Sequence, residues 1–187
     1  LKERLGLNDP FIIQFYRFVR DASVGEFGLS YQHRRPVKEL IAERLPATLE
    51  LALVSAILAL AIGIPMGVYT ALKRYGFLSR TFMTISLVGV SLPTFLIGIL
   101  LILFFGVLLR WLPTFGRGDV VEIGWWTSGF LTASGLKSLI MPSITLALFQ
   151  MTLIMRLVRA EMLEVLRADF IKFARARGLQ TRAVHFR

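Results

Sequence analysis

Charged side chains nearly vanish from three long stretches of this chain and crowd into the segments between them, which is how spans and loops divide a membrane protein. Residues 47–72 carry only Glu50 as a charge, near the start, and a bilayer core needs roughly 20 apolar residues at helical rise. The pattern predicts a first span there. Residues 82–109 hold no charged side chain, which predicts a second span, with Pro93 bending or breaking its helix. A third span is expected over 136–158, with Lys137 and Arg156 near its ends and Ser143, Thr145, Gln150 and Thr152 between them.

Within the first span, Ala52, Ala56, Ala59, Gly63 and Gly67 recur at helical spacing. Small residues on one face let two backbones approach closely in lipid, where association depends on packing, so this face is expected to meet neighbouring helices. In the third span Gln150 is the one strongly polar side chain well inside the apolar run, on a helical face with Ser143 and Ala147. It is a candidate for a polar pathway. An interhelical hydrogen bond without substrate contact fits the same pattern.

Outside the spans two amphipathic stretches stand out. After Pro36, Val37, Leu40, Ile41 and Leu45 share a face, predicting a short helix lying at the membrane interface. After the third span Leu163, Leu166, Phe170 and Phe173 repeat at three or four residues. That spacing predicts an amphipathic helix ending where Gly178 takes a left-handed cap, with Thr181 starting a second short helix.

Composition agrees with this division. The chain has 187 residues, 55% of them hydrophobic, and a mean hydropathy of +0.65, more apolar than a soluble domain of that size. A net charge of +10 would suit nucleic acid if the basic residues formed one stripe, but they flank the apolar blocks, as topology signals and headgroup anchors do. Their distribution does not orient the chain. Lys73, Arg74, Arg80, Arg159, Arg167, Lys172, Arg175 and Arg177 on one side balance Arg34, Arg35, Lys38, Arg44, Arg110, Arg117 and Lys137 on the other, while the density at 73–80 favours that loop as cytoplasmic. The chain starts at Leu1 and ends at Arg187 inside a basic helical pattern, and so reads as an internal piece of a longer protein.

Several chemistries lack their residues. With no cysteine there is no disulfide framework or thiolate metal site, and His33 and His185 have no nearby ligand partner in sequence, so no metal site is expected. No phosphate-binding loop, zinc-protease helix or nucleophile elbow occurs, and no acid lies deep in a span. A coupled carrier usually carries such an acid. An embedded enzyme and a structural subunit of another complex stay open on these grounds, below a transport subunit without catalysis of its own.

Ordered landmarks narrow the choice. Asp169-Phe170-Ile171-Lys172 followed by Ala174-Arg175-Ala176-Arg177-Gly178-Leu179 resembles the coupling loop of binding-protein-dependent ABC importer permeases. The general loop reads E-A-A, three residues, G, placing Lys172, Phe173 and Ala174 at its first positions and Gly178 at its glycine. Ala174 and Gly178 match, and the basic residues resemble the dipeptide, oligopeptide and nickel branch. Gly25-Glu26-Phe27-Gly28, Glu43-Arg44-Leu45-Pro46-Ala47-Thr48-Leu49-Glu50, Gly63-Ile64-Pro65, Ser91-Leu92-Pro93, Trp111-Leu112-Pro113 and Met141-Pro142-Ser143 resemble its other landmarks, in order.

The resemblance implies an all-α, polytopic transmembrane bundle of the type I ABC importer permease kind, with three of its spans in this chain. It implies an external segment over 1–45, a transmembrane domain over 46–187, a cytoplasmic loop at 73–80 and a cytoplasmic coupling segment at 159–187. In that segment Lys172, Phe173, Ala174, Gly178, Leu179, Arg182, Val184 and Phe186 would meet the ATPase. The implied partners are a second permease subunit, two ATPase subunits and an external solute-binding protein, with ATP and Mg held by the ATPase and no cofactor in this chain. The implied place is a bacterial or archaeal plasma (inner) membrane, crossed several times, and the implied cargo is peptides or similar small solutes, nickel complexes included.

Overall fold

The computed structural model describes residues 10–178. It is mostly helical. Helix α1 (Phe11–Ser23) leads through a two-residue hairpin, β1 (Leu29–Ser30) with β2 (Arg35–Pro36), into the long helix α2 (Val37–Leu72). A tight turn gives α3 (Phe77–Ser91), then α4 (Thr94–Leu101) and a π-helical turn over Ile102–Leu108. A second hairpin, β3 (Val121–Ile123) with β4 (Trp126–Ser128), precedes α5 (Ala133–Val165) and the short α6 (Asp169–Ala176).

The chain divides into two compact units, one running to Leu49 and including Val121–Ser128, the other holding Glu50–Val120 and the chain from Gly129 onward. In the first unit the turn after α1 is closed by Glu26 N–H to Asp21 O at 2.9 Å, and the hairpin returns so that Val37 N–H donates to Gly28 O at 3.0 Å. Arg35 reaches across to Glu43 and Glu39 on the first turns of α2. The hydrogen bond to Glu43, then that to Glu39, holds the guanidinium above its ordinary range.

In the second unit α3 and α4 both pack on α5. The close contact between α2 and α5 is made by glycine. A Cβ on Gly63 would stand 3.0 Å from Met151 O and one on Gly67 2.7 Å from Val158 Cβ, so the two backbones approach as near as side-chain-free positions allow. Ser79 Oγ donates to Thr70 O at 3.3 Å, joining α3 to the end of α2.

Apolar side chains face outward. Only 22% of the most apolar window of α2 and 28% of that of α5 is buried, the reverse of a core helix in a soluble protein. Leu53, Ile57 and Leu60 on α2 and Leu146, Leu153 and Leu157 on α5 are exposed, a surface suited to lipid or to further helices.

The run 82–109 breaks at Pro93 as expected: α3 ends at Ser91, Pro93 takes an extended conformation (φ −59°, ψ 136°) and α4 restarts after it, because proline donates no hydrogen bond and disfavours helix just before itself. Other expectations need correction. Among the described residues two helices are long and apolar enough to cross a membrane, and Thr94–Leu108 is a shorter apolar one. The short helix expected after Pro36 is not separate, since α2 runs unbroken from Val37 through the buried Pro46. The amphipathic run 163–173 is likewise not one helix, as α5 continues to Val165 and a turn at 166–168 divides it from α6. Finally, the described residues are mostly helical as expected, but helix α1 and the two small hairpins were not anticipated.

Candidate functional site

The long helices are apolar enough that a buried charge is conspicuous, and the second unit contains one. Glu50 is 2% exposed, one turn into the apolar part of α2. Its carboxylate accepts from Gly129 N–H at 3.2 Å to each oxygen and from Arg117 Nη2 at 3.0 Å. An ionised carboxylate taken out of water must be paired and hydrogen-bonded, and these donors do both.

The loops that supply the donors are themselves tied to α5. Thr132 caps that helix by accepting from Gly135 N–H at 3.0 Å, and its hydroxyl donates to Asp119 O. Ser134 Oγ donates to Asp119 Oδ2 at 2.6 Å and accepts from Asp119 N–H at 2.9 Å. Gly118, at φ +73°, lies so close to Ser134 that a Cβ would stand 2.6 Å from its carbonyl. One carboxylate thus clamps the start of the apolar part of α2 to the loop leading into α5.

Glu50 was visible in the sequence as the lone acid of the first span; Arg117 and Gly129 were not singled out. The signal available was charge balance. A lone acid at a span edge calls for a basic residue from a loop, and Arg117 is one of the few basic residues of the second loop.

The expected pathway residues separate. Ser143 is fully buried, with no partner for its Oγ among the described residues, Ala147 is buried, and Gln150 is exposed. The face is covered at 143–147, where Thr145 on the same stretch meets Gly98 of α4, and open at 150. Of the small residues on α2, Ala59, Gly63 and Gly67 are buried, Ala56 is half-buried and Ala52 is exposed. Ser55, 1% exposed, stands at the position four before Ala59 that Ala52 was expected to continue.

At the other end, α6 carries Phe170 and Phe173 exposed at 63% and 62%, while Ile171 is buried. Asp169 opens the helix and pairs with Lys172 at 2.8 Å. The helix stops before Gly178, whose φ of +78° is the left-handed conformation that glycine adopts without strain. Ala174 lies within α6, and Leu179, Arg182, Val184 and Phe186 lie outside the described residues.

Residues 63–187, more than half of the chain, match the model of the "binding-protein-dependent transport system inner membrane component". The chain is 36% identical over 186 residues to a probable peptide ABC transporter permease protein, y4tP, of Sinorhizobium fredii, covering all of this chain and 57% of that protein. It is 36% identical over 190 residues to the dipeptide transport system permease protein DppB of Alkalihalophilus pseudofirmus, covering 95% of this chain and 57% of that one. It is 38% identical over 186 residues to the oligopeptide transport system permease protein AppB of Bacillus subtilis, covering 99% of this chain and 57% of that one. The chain therefore spans little more than half the length of these curated relatives, and it belongs to the family of binding-protein-dependent transport system inner membrane components.

Proposed function

We propose that this chain is part of a permease subunit that forms the membrane pathway of an ATP-driven peptide importer. The observation that carries the reading is likeness over nearly the whole chain to permeases named for peptides, dipeptides and oligopeptides. Those names favour peptides over nickel complexes as cargo.

In this reading 47–72, 82–109 and 136–158 each cross the bilayer, the second as two helical pieces joined at Pro93. The loop 73–80 and the segment 159–187 face the cytoplasm, and 1–45 faces outward. The subunit pairs with a second permease and receives solute from an external binding protein. It has no catalysis of its own, since two ATPase subunits hold ATP and Mg and do the hydrolysis.

The role of α6 follows from its shape. An exposed apolar pair, Phe170 and Phe173, on a helix set off by turns at both ends suits insertion into a groove on a soluble ATPase. Closure of the ATPase pair would move α6, and α5, joined to it by only 166–168, would carry the movement into the bundle. Gln150 and Ser143 remain candidates for the pathway.

The test is reconstitution of the full-length permease in proteoliposomes with its second permease, ATPases and binding protein. ATP-dependent uptake of labelled di- to oligopeptides that requires all components is expected. Uptake of a nickel complex with no peptide transport would overturn the assignment of cargo, and peptide uptake independent of ATP would overturn the importer class.

A further inference from the structure

The helical run that restarts at Pro93 ends under strain. After α4 the chain widens into the π-helical turn over Ile102–Leu108, where Leu109 N–H donates to Phe104 O, five residues back, at 3.0 Å. Arg110 then takes φ +55°, the left-handed conformation that a helix end ordinarily gives to glycine. Trp111 and Leu112 N–H fold back onto one acceptor, Phe105 O, at 2.9 and 3.3 Å, and the Trp111 and Phe105 rings lie 6.2 Å apart. The return needs glycine at 106, since a Cβ there would stand 2.5 Å from Thr114 Cγ2. Strain of this kind persists where nearby contacts over-determine it, and it gathers at segments that switch.

The returning strand covers a cavity. Residues 113–116 form one wall of an apolar space of about 390 Å³, and Gly98, Ile102, Met141 and Thr145 from α4, the π-helical turn and α5 form others. The strand is hinged at both ends. Arg110 is left-handed at one, Gly116 at φ +84° is left-handed at the other, and Arg117 just beyond is fastened to the buried Glu50.

We propose that residues 111–115 are a lid on this cavity, closed in this structure, and that the lid opens when the π-helical turn rewinds as α-helix. Rewinding moves the Leu109 N–H from Phe104 O to Phe105 O, displaces Trp111 and Leu112 from that carbonyl, and takes Arg110 out of the left-handed region. The lid then turns by one residue's rotation, about 100°, and Thr114 leaves Gly106. These bonds converge on Phe105 and Gly106, so they are released together, as a two-state element requires. Relief at Arg110 favours opening and the contacts of Thr114 and Trp111 favour closure. The link from lid to uptake rests on the importer reading above; the hinge itself does not.

A Cβ built on Gly106 lies 3.6 Å from Thr114 Cβ, within the range of a disulfide, so Gly106→Cys with Thr114→Cys should lock the lid closed. The experiment uses the full-length permease with this pair, otherwise cysteine-free, reconstituted with its second permease, ATPases and binding protein. Oxidation is expected to crosslink the pair and to lower ATP-dependent peptide uptake roughly tenfold, with recovery on reduction and no effect on the cysteine-free parent. Failure of the pair to crosslink, or undiminished uptake by the crosslinked protein, would overturn the lid. Absence of uptake in the parent would count against the importer reading instead, and the hinge is then decided by hydrogen exchange over 109–116 in the same complex. Glycine ordinarily loosens a segment, but Arg110→Gly removes the left-handed cost and should slow exchange there by about three- to tenfold. Gly106→Ala should speed it, and Thr114→Ser, which lacks Cγ2, should reverse that gain in the double variant. Unchanged or faster exchange in Arg110→Gly would overturn the proposal.

Discussion

Glu50 and Arg117 stand 67 residues apart in sequence and 3.0 Å apart in the fold, and the carboxylate is 2% exposed while the arginine side chain keeps 26% of its exposure. A partly wet partner lowers the desolvation cost of the pair, and Gly129 N–H fills the acceptor capacity that Arg117 leaves. The pair is therefore a fastening between a helix and the loop that enters the next long helix.

Removing one partner should cost more than removing both. Glu50→Leu leaves the Arg117 charge without this carboxylate and should destabilise the assembled permease by roughly 2–3 kcal/mol, whereas Glu50→Leu with Arg117→Met should recover at least about half of that. Thermal unfolding of the detergent-solubilised complex measures both. Equal losses for the single and double variants would show that Glu50 acts through Gly129 alone.

The α2–α5 contact makes a complementary prediction. Gly67→Ala places a methyl 2.7 Å from Val158 Cβ and 2.9 Å from Met155 O, so it should destabilise by about 1–3 kcal/mol and lower the yield of folded protein. Trimming the opposing side chain in Gly67→Ala with Val158→Ala should restore part of the loss. The same alanine at Gly25, whose added Cβ meets nothing within 4 Å, would suffer only from its φ of +82° and should leave helix packing unchanged.

Pro93 separates α3 from α4 between two close approaches to α5, Gly89 to Thr152 and Gly98 to Thr145. Pro93→Ala restores a donor and permits helix through 91–93, and a straightened helix could not keep both approaches. Cysteine crosslinking of Gly89→Cys to Thr152→Cys and of Gly98→Cys to Thr145→Cys is expected to form efficiently in the parent and to fall for at least one pair when Pro93→Ala is added. Unchanged crosslinking at both would mean that packing against α5, rather than proline, sets the break.

The parts of the fold that sequence disclosed are those whose cause is local. An apolar run long enough for a bilayer announces α2, the absent N–H of Pro93 announces the break, and Gly178 announces a left-handed stop. The parts that it hid depend on distant or very short features. Strands of two and three residues are too brief to show an alternating pattern, and α1 carries a helical repeat at Phe11, Phe15, Phe18 and Ala22 whose low overall apolarity is eclipsed by the spans. The hydrogen bond lost at Pro46 did not stop α2, which runs from Val37 to Leu72. Arg117 could be matched to Glu50 only once the second loop had returned to α2.

The last prediction concerns Gly178, which follows α6 at φ +78° with nothing within 4 Å of a Cβ built there. Space is therefore no obstacle to a side chain, and conformation alone is. Gly178→Ala and Gly178→Val meet the same open surroundings, but left-handed geometry costs an L-residue roughly 1–2 kcal/mol and a β-branched one more, so the two should be graded and not equivalent. Gly178→Asn, which tolerates this region, should be the mildest of the three. If the turn sets the direction in which the chain leaves α6, then peptide-stimulated ATP hydrolysis in the reconstituted complex should fall in the order Asn, Ala, Val, while membrane insertion of the permease stays at the parental level. Equal activity for all three substitutions would show that the left-handed conformation is not what couples this segment to the ATPase.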